Sequence, residues 1–227
     1  VTVVSEPDRR RLAELAPLTP MSIIPNSIDV AEYRAIPGQN TPEYDLVFTG
    51  KMDYRPNVDA VLWFSKEIWP KILRARPGTT WAIVGQRPHR RLRPLSELEG
   101  VTITGRVKHI QPYIAQAAVC IMPFRAGGGT RFKIIEAMAA GKAIVSTRIG
   151  AEGFDATTGG ELIIADEADD FAFATLNLLN NPEKRRELGE QALATARAYD
   201  WQSVTPLFDE VYEQLTAGAE SHPTGSA

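Results

Sequence analysis

Ala118-Val-Cys-Ile-Met-Pro-Phe-Arg-Ala-Gly-Gly-Gly-Thr-Arg-Phe-Lys-Ile-Ile-Glu-Ala-Met-Ala-Ala-Gly-Lys-Ala-Ile-Val-Ser146 is the stretch on which the fold turns. Ala118 to Phe124 is a short apolar run of strand length. Gly127, Gly128 and Gly129 follow, Thr130 is placed to cap, and Arg131 to Ala140 reads as a helix. Ala143 to Ser146 is a second apolar run. Strand, glycine turn, helix, strand is a βαβ unit, and such a unit puts its two strands parallel.

The same alternation extends outward. Upstream, Asp45–Gly50, Thr80–Gly85 and Val101–Gly105 read as strands, each ending at a glycine. From Asn57 to about Arg74 the apolar positions Val58, Val61, Leu62, Phe64, Ile68, Trp69 and Ile72 repeat at helical spacing. His109 to Ala117 reads as a short helix, and residues 88–98 as a polar, partly helical connection. Downstream come a strand at Leu162–Ala165 and helices at Glu167–Asn180, Glu183–Ala198 and Val204–Leu215. At the start, Ser5-Glu-Pro-Asp8 caps a helix that runs to about Leu15, and Ile23-Ile24 is a short strand. With right-handed crossovers the pattern predicts an α/β fold, a doubly wound, Rossmann-like parallel sheet covered on both faces. Ligands of such sheets sit at the carboxyl ends of the strands, where these glycines lie. Residues 1–30 read as a segment ahead of the domain, 35–43 as a linker, 44–200 as the Rossmann-like domain and 201–216 as a closing helix. The small polar stretch 217–227 is expected to be disordered.

Composition sets limits. The 227 residues carry 25 Lys and Arg against 28 Asp and Glu, a net charge of −3, which argues against a general nucleic-acid binder. No apolar run approaches the roughly 18 residues of a membrane span, so membrane contact is expected to be peripheral at most. The single cysteine, Cys120, excludes an internal disulfide and fits a reducing, cytoplasmic compartment. In its apolar run it reads as a small buried hydrophobe. The start, Val1-Thr-Val-Val4, has neither a methionine nor a basic leader, so the chain is expected to be a piece of a longer one.

The chemistry concentrates in the glycine turn. Glycines let the backbone approach a ligand, and the helix that follows presents its positive end. Arg131 and Lys133 fall in that helix's first turn, where cations oppose the dipole by roughly 0.3–1 kcal/mol each. A bound phosphate or diphosphate reverses that sign; a plain glycine turn with two solvated basic side chains is the alternative. Glu136 follows Lys133 by three residues and is flanked by apolar ones. It reads either as an ion pair with Lys133 or as an acceptor for sugar hydroxyls. Other signals weigh less. The basic run Arg87–Arg93 reads as a solvated loop, with an acidic acceptor or a membrane surface as the alternative. The acids at 166–170 sit at a predicted helix start rather than at metal-ligand spacing. His89, His109 and His222 have no nucleophile or ligand partners at useful spacing, and Trp63, Trp69 and Trp81 are core candidates.

Glu136-Ala-Met-Ala-Ala-Gly141-Lys-Ala-Ile-Val145 resembles the signature of the retaining GT-B glycosyltransferases of group 1, glycosyltransferase family 4. That pattern pairs two acids. The second is Glu136; the first falls on position 128, which is Gly here, and Ala143 stands where a proline is usual. The run from Gly127 to Glu136 resembles a subgroup with glycines and Lys in this loop. The turn around Gly50 and Lys51 resembles the family's first glycine turn, with Lys51 at its Arg position and Arg55 in place of its later Lys. Gly105-Arg106-Val107 resembles the loop that meets the nucleotide base, Ile149-Gly-Ala-Glu-Gly153 a further shared turn, and Trp201 with Tyr212 the closing helical segment. Val1 to Asp29 resembles the crossover from an N-terminal domain.

The resemblance implies the C-terminal, donor-binding half of a GT-B enzyme. Such an enzyme moves a sugar from a nucleoside diphosphate to an acceptor hydroxyl with retention, in glycan or polysaccharide biosynthesis. Lys51, Lys133 and Glu136 take the catalytic positions. Gly50, Arg55, Gly105, Arg106, Val107, Gly127, Gly128, Gly129, Thr130 and Arg131 take the donor-binding ones. No cofactor and no metal is expected. The implied partners are a nucleotide sugar and an acceptor-binding N-terminal domain, without which the chain is expected to be inactive and to self-associate. A non-catalytic sugar-nucleotide-binding module and a GT-B sugar-nucleotide epimerase are the alternatives.

Overall fold

The longest apolar runs become strands: paired in a parallel sheet covered by helices, they bury both faces while their backbone polar groups stay bonded. The computed structural model describes residues 1–34, 42–154 and 160–220, with side chains to residue 216. The first part of the chain forms β1 (Thr2–Val3), α1 (Glu6–Leu15), β2 (Ser22–Ile23) and α2 (Val30–Arg34). The next forms β3 (Tyr44–Thr49), α3 (Arg55–Trp63), α4 (Trp69–Ala75), β4 (Trp81–Val84), β5 (Val101–Gly105), α5 (Gln111–Ala115) and β6 (Ala117–Met122). The last forms α6 (Phe132–Ala139), β7 (Ala143–Ser146), β8 (Ile163–Ile164), α7 (Ala168–Asn180), α8 (Pro182–Ala196) and α9 (Trp201–Glu220). Most of the linker at 35–43, and the tail beyond 220, lie outside the described residues.

Among the described residues the main sheet has six parallel strands in the order β5-β4-β3-β6-β7-β8. The chain starts in the middle at β3, moves outward to β5, then returns to β6 on the other side of β3. That reversal is the topological switch point of a doubly wound fold, and it opens a crevice beyond the carboxyl ends of β3 and β6. Pro-Phe-Arg-Ala-Gly-Gly-Gly, after β6, falls at this crevice, as the βαβ reading requires. β6 is buried from end to end, with Cys120 1% exposed and its thiol pushed up to about 12 by burial.

The helix expected over 57–74 runs from Arg55 to Ala75 but is not uniform. Residues 64–68 form a π segment between α3 and α4, in which the Trp69 N–H donates to the Phe64 carbonyl. Pro70 has no N–H to continue the regular ladder and crowds the carbonyl four residues back, so the helix widens ahead of it. Phe64, Trp69 and Trp81 pack together beneath this segment, with the Phe64 and Trp81 rings 4.6 Å apart. Trp63 is only partly buried and meets the Arg125 guanidinium 5.5 Å from its ring.

Two other expectations change. Thr130 does not cap α6: Arg131 occupies that position, and no side chain accepts a bond there. The closing helix continues to Glu220, so 217–220 are helical backbone. The first segment bonds to the domain's end, where Ile28 N–H donates to the Tyr199 carbonyl at 2.9 Å and Trp201 N–H to the Ile28 carbonyl at 3.1 Å. The predicted cap of α1 is present, with Asp8 N–H donating to Ser5 Oγ at 3.3 Å. Among the described residues no helix is long and apolar enough to cross a membrane. The basic run forms a 3-10 turn over Arg90–Glu97, anchored by buried Leu92 and Leu95.

Candidate functional site

A cleft of about 760 Å³ opens at the switch point. Its floor is the close approach of two strand ends. A Cβ on Gly85 would lie 1.6 Å from the Gly50 carbonyl oxygen, so no side chain fits where β3 and β4 finish. The cleft is lined by Gly50 and Lys51 after β3, Gln86 after β4, Arg106 and Val107 after β5, and Gly128, Thr130, Arg131, Lys133 and Glu136 from the β6–α6 connection. Four segments far apart in sequence thus converge because their strands are neighbours in one parallel sheet.

Lys133 is the most constrained cation. Its Nζ lies 4.6 Å from the Phe48 ring centroid and 4.7 Å from that of Phe124, and donates to Asn57 Oδ1 at 2.8 Å. Burial, reinforced by the Arg131 charge, lowers its pKa to about 7, while Glu136 works the other way. Arg131 stacks on the outer part of the same aromatic pair, 4.0 Å from the Phe124 centroid. Burial also lowers its pKa from the ordinary value. The helix at whose start they stand has no acid in its first turn and no side-chain cap. Two cations and the positive end of α6 therefore converge on one wall with nothing anionic opposite them in that turn, the arrangement of an anion site.

Glu136 does not ion-pair with Lys133 despite the favourable spacing. Its Oε1 accepts from the Tyr33 hydroxyl at 3.1 Å, and burial raises its pKa against the opposing pull of Tyr33 and Lys133. Tyr33 comes from α2, so a helix ahead of the main sheet reaches the site. The Tyr33 hydroxyl is raised in turn, by burial first and then by the Glu136 charge.

Four of the residues expected at the site do not line the cleft. Arg55 is exposed at the first position of α3. Gly105, Gly127 and Gly129 shape the backbone, with φ of 68°, 104° and 81°. Gly127 also makes room, since a Cβ there would lie 2.9 Å from an Arg131 guanidinium nitrogen. Sequence reasoning missed Asn57, which is 5% exposed and donates to the Lys51 carbonyl at 2.8 Å while accepting from Lys133. Its signal was a polar residue on the buried stripe of an otherwise apolar period. Tyr33 carried no signal, because the linker beside it hides where α2 docks. The acids at 166–170 form no metal cluster, and none of three or more ligating side chains occurs among the described residues.

Comparisons place this chain among known proteins. Residues 43–181, more than half of the chain, match the family described as Glycosyl transferases group 1. Phosphatidyl-myo-inositol mannosyltransferase of Mycolicibacterium smegmatis is 30% identical, over 90% of this chain and 55% of its own. The D-inositol 3-phosphate glycosyltransferase of Corynebacterium urealyticum is 32% identical over 41% of this chain and 24% of its own. The chain spans about half the length, or less, of the curated relatives it matches. Among solved structures, sucrose-phosphate synthase from Thermosynechococcus elongatus superposes with a TM-score of 0.75 at 21% identity, over 96% of this chain and 58% of that one. HepE from Anabaena, solved with UDP and glucose, gives 0.69 at 17%, over 95% and 62%. The fold is the Rossmann-like one of GT-B glycosyltransferases, and the chain belongs to the group 1 glycosyltransferases.

Proposed function

We propose that this chain is the donor-binding half of a retaining glycosyltransferase that passes a sugar from a nucleoside diphosphate to an acceptor hydroxyl in glycan biosynthesis. One observation carries the reading: Arg131, Lys133 and the uncapped end of α6 form one wall of the cleft, with Lys51 on its rim. The diphosphate sits against them. Its negative charge grows as the sugar departs, and fixed cations in a partly dehydrated cleft stabilise that charge without needing to reorganise. The base lies toward Gln86, Arg106 and Val107, and Glu136 accepts from the ribose hydroxyls with the oxygen that Tyr33 leaves free. Structural relatives solved with UDP support a nucleotide as the ligand. Retention of configuration rests on the family resemblance, and no metal is assigned a role.

The acceptor side belongs to a second domain, so the chain alone is expected to bind donor without transferring sugar. Calorimetric titration with UDP, GDP and ADP tests the reading. One nucleotide should bind saturably, and Lys133→Ala should weaken it at least about tenfold, the scale of one charge-assisted hydrogen bond. Glu136→Ala should weaken it severalfold. Absence of binding by all three nucleotides, or indifference of the binding one to both substitutions, would overturn it.

A further inference from the structure

We propose that Glu152, in the loop after β7, recognises the hydroxyls of the transferred sugar, an inference that rests on the donor-binding reading above. The argument begins at Gly128. Its neighbours Gly127 and Gly129 have φ of 104° and 81°, which only glycine adopts comfortably, but Gly128 is not in that region. Its lack of a side chain is therefore a matter of space rather than of backbone. Gly128 lines the cleft, and what a Cβ there would meet is Glu152 Oε2, at 3.5 Å. The resemblance places an acid at position 128; here a carboxylate reaches the same space from a different strand's loop.

Glu152 is held for this task. Its Oε1 accepts from the Arg11 guanidinium of α1 at 2.6 Å, and its side chain is 21% exposed. Its Oε2 accepts no hydrogen bond among the described residues. The next residue, Gly153, is pressed on the β6–α6 connection, since a Cβ there would lie 2.4 Å from Thr130 Oγ1. The loop is closed on itself by Ala151 N–H donating to the Thr147 carbonyl at 3.0 Å. Its position beside the glycine turn is thus set by contacts at both ends.

A carboxylate beside a diphosphate site repels the ligand unless it meets something that donates. The sugar is that part of a nucleotide sugar: it is neutral, and its hydroxyls are donors. A carboxylate that accepts from them gains a charge-assisted bond, about twice as strong as a neutral one. It also selects the sugar by where its hydroxyls point, which the diphosphate contacts do not.

The test titrates the whole chain and its Glu152→Gln and Arg11→Ala variants with UDP, GDP and ADP, then with the hexose and N-acetylhexosamine esters of whichever nucleotide binds. Glu152→Gln is expected to weaken the best sugar ester about tenfold while leaving the bare nucleoside diphosphate within about twofold. Arg11→Ala should show the same selectivity with a smaller loss. Equal losses for both ligands would make Glu152 a structural residue and overturn the proposal, as would no loss for either. Failure of the unaltered chain to bind any nucleotide would instead remove the donor-site reading, and this inference with it.

Discussion

At the residue scale, Lys133 is the unusual group. It is charged in an unfolded chain at neutral pH, yet burial between two aromatic rings and the nearby Arg131 bring its pKa to about 7 in the folded one. An anion in the cleft favours the ammonium form, so binding takes up a proton. The sign follows: as pH rises through about 7, the empty site loses its protonated fraction and affinity falls. A nucleotide sugar is the right probe, because its doubly esterified diphosphate does not titrate in this range. Its affinity is expected to drop as pH goes from about 6.5 to 9, and Lys133→Arg should flatten that slope, since the guanidinium keeps its charge. Calorimetry across that range, in buffers of different ionisation enthalpy, measures both the slope and the proton count. Facing groups are Arg131, which lowers the Lys133 pKa, and Glu136, which raises it. The position of Lys133 near the glycine turn was legible in the sequence. Its enclosure was not, because Phe48 and Phe124 belong to two different strand ends.

At the element scale, the β6–α6 unit behaved as its sequence implied. Apolar run, glycines and helix formers leave few other ways to bury β6, and the parallel sheet supplies the partners. The α3–α4 region shows what periodicity leaves out. The apolar positions placed a helix correctly, but the π segment at 64–68 follows from one missing N–H at Pro70. That widened turn seats Phe64 against Trp81 and within 5.9 Å of the Phe171 ring on α7. Phe64 is fully buried, and Phe64→Ala is expected to cost about 3–5 kcal/mol, the range for a large aromatic removed from a packed core. Urea unfolding followed by tryptophan fluorescence reads this directly. A loss under about 1 kcal/mol would mean the cluster closes over the gap.

At the scale of the whole molecule, Asp200 ties the two ends of the chain to one another. One carboxylate oxygen accepts from Val30 N–H at 3.1 Å and the other from Gln202 N–H at 2.9 Å, so it secures the start of α2 and of α9 together. Tyr33 sits one turn along α2 and holds Glu136. A residue remote from the cleft thereby sets the orientation of a carboxylate within it. Asp200→Ala is expected to cost about 1–3 kcal/mol, the scale of losing a cap and leaving a backbone N–H unsatisfied. It should also weaken nucleotide binding severalfold through Tyr33, and Tyr33→Phe should reproduce the binding loss with a smaller stability loss. Denaturation and calorimetry on the two variants separate those effects.

The parallel α/β sheet, the glycine turn and the cations beside it were legible in the order of residues, because strand burial, glycine conformation and helix polarity are local properties. So was the place of Lys51 after one strand and of Arg131, Lys133 and Glu136 after another. Folding in three dimensions settled which of these share a cleft, that Asn57 and Tyr33 complete it, that Thr130 is not the cap, and that Glu152 comes to stand beside Gly128. Each of those outcomes depends on how far apart two chain segments end up once the sheet order is set, and spacing along a sequence carries no measure of that distance.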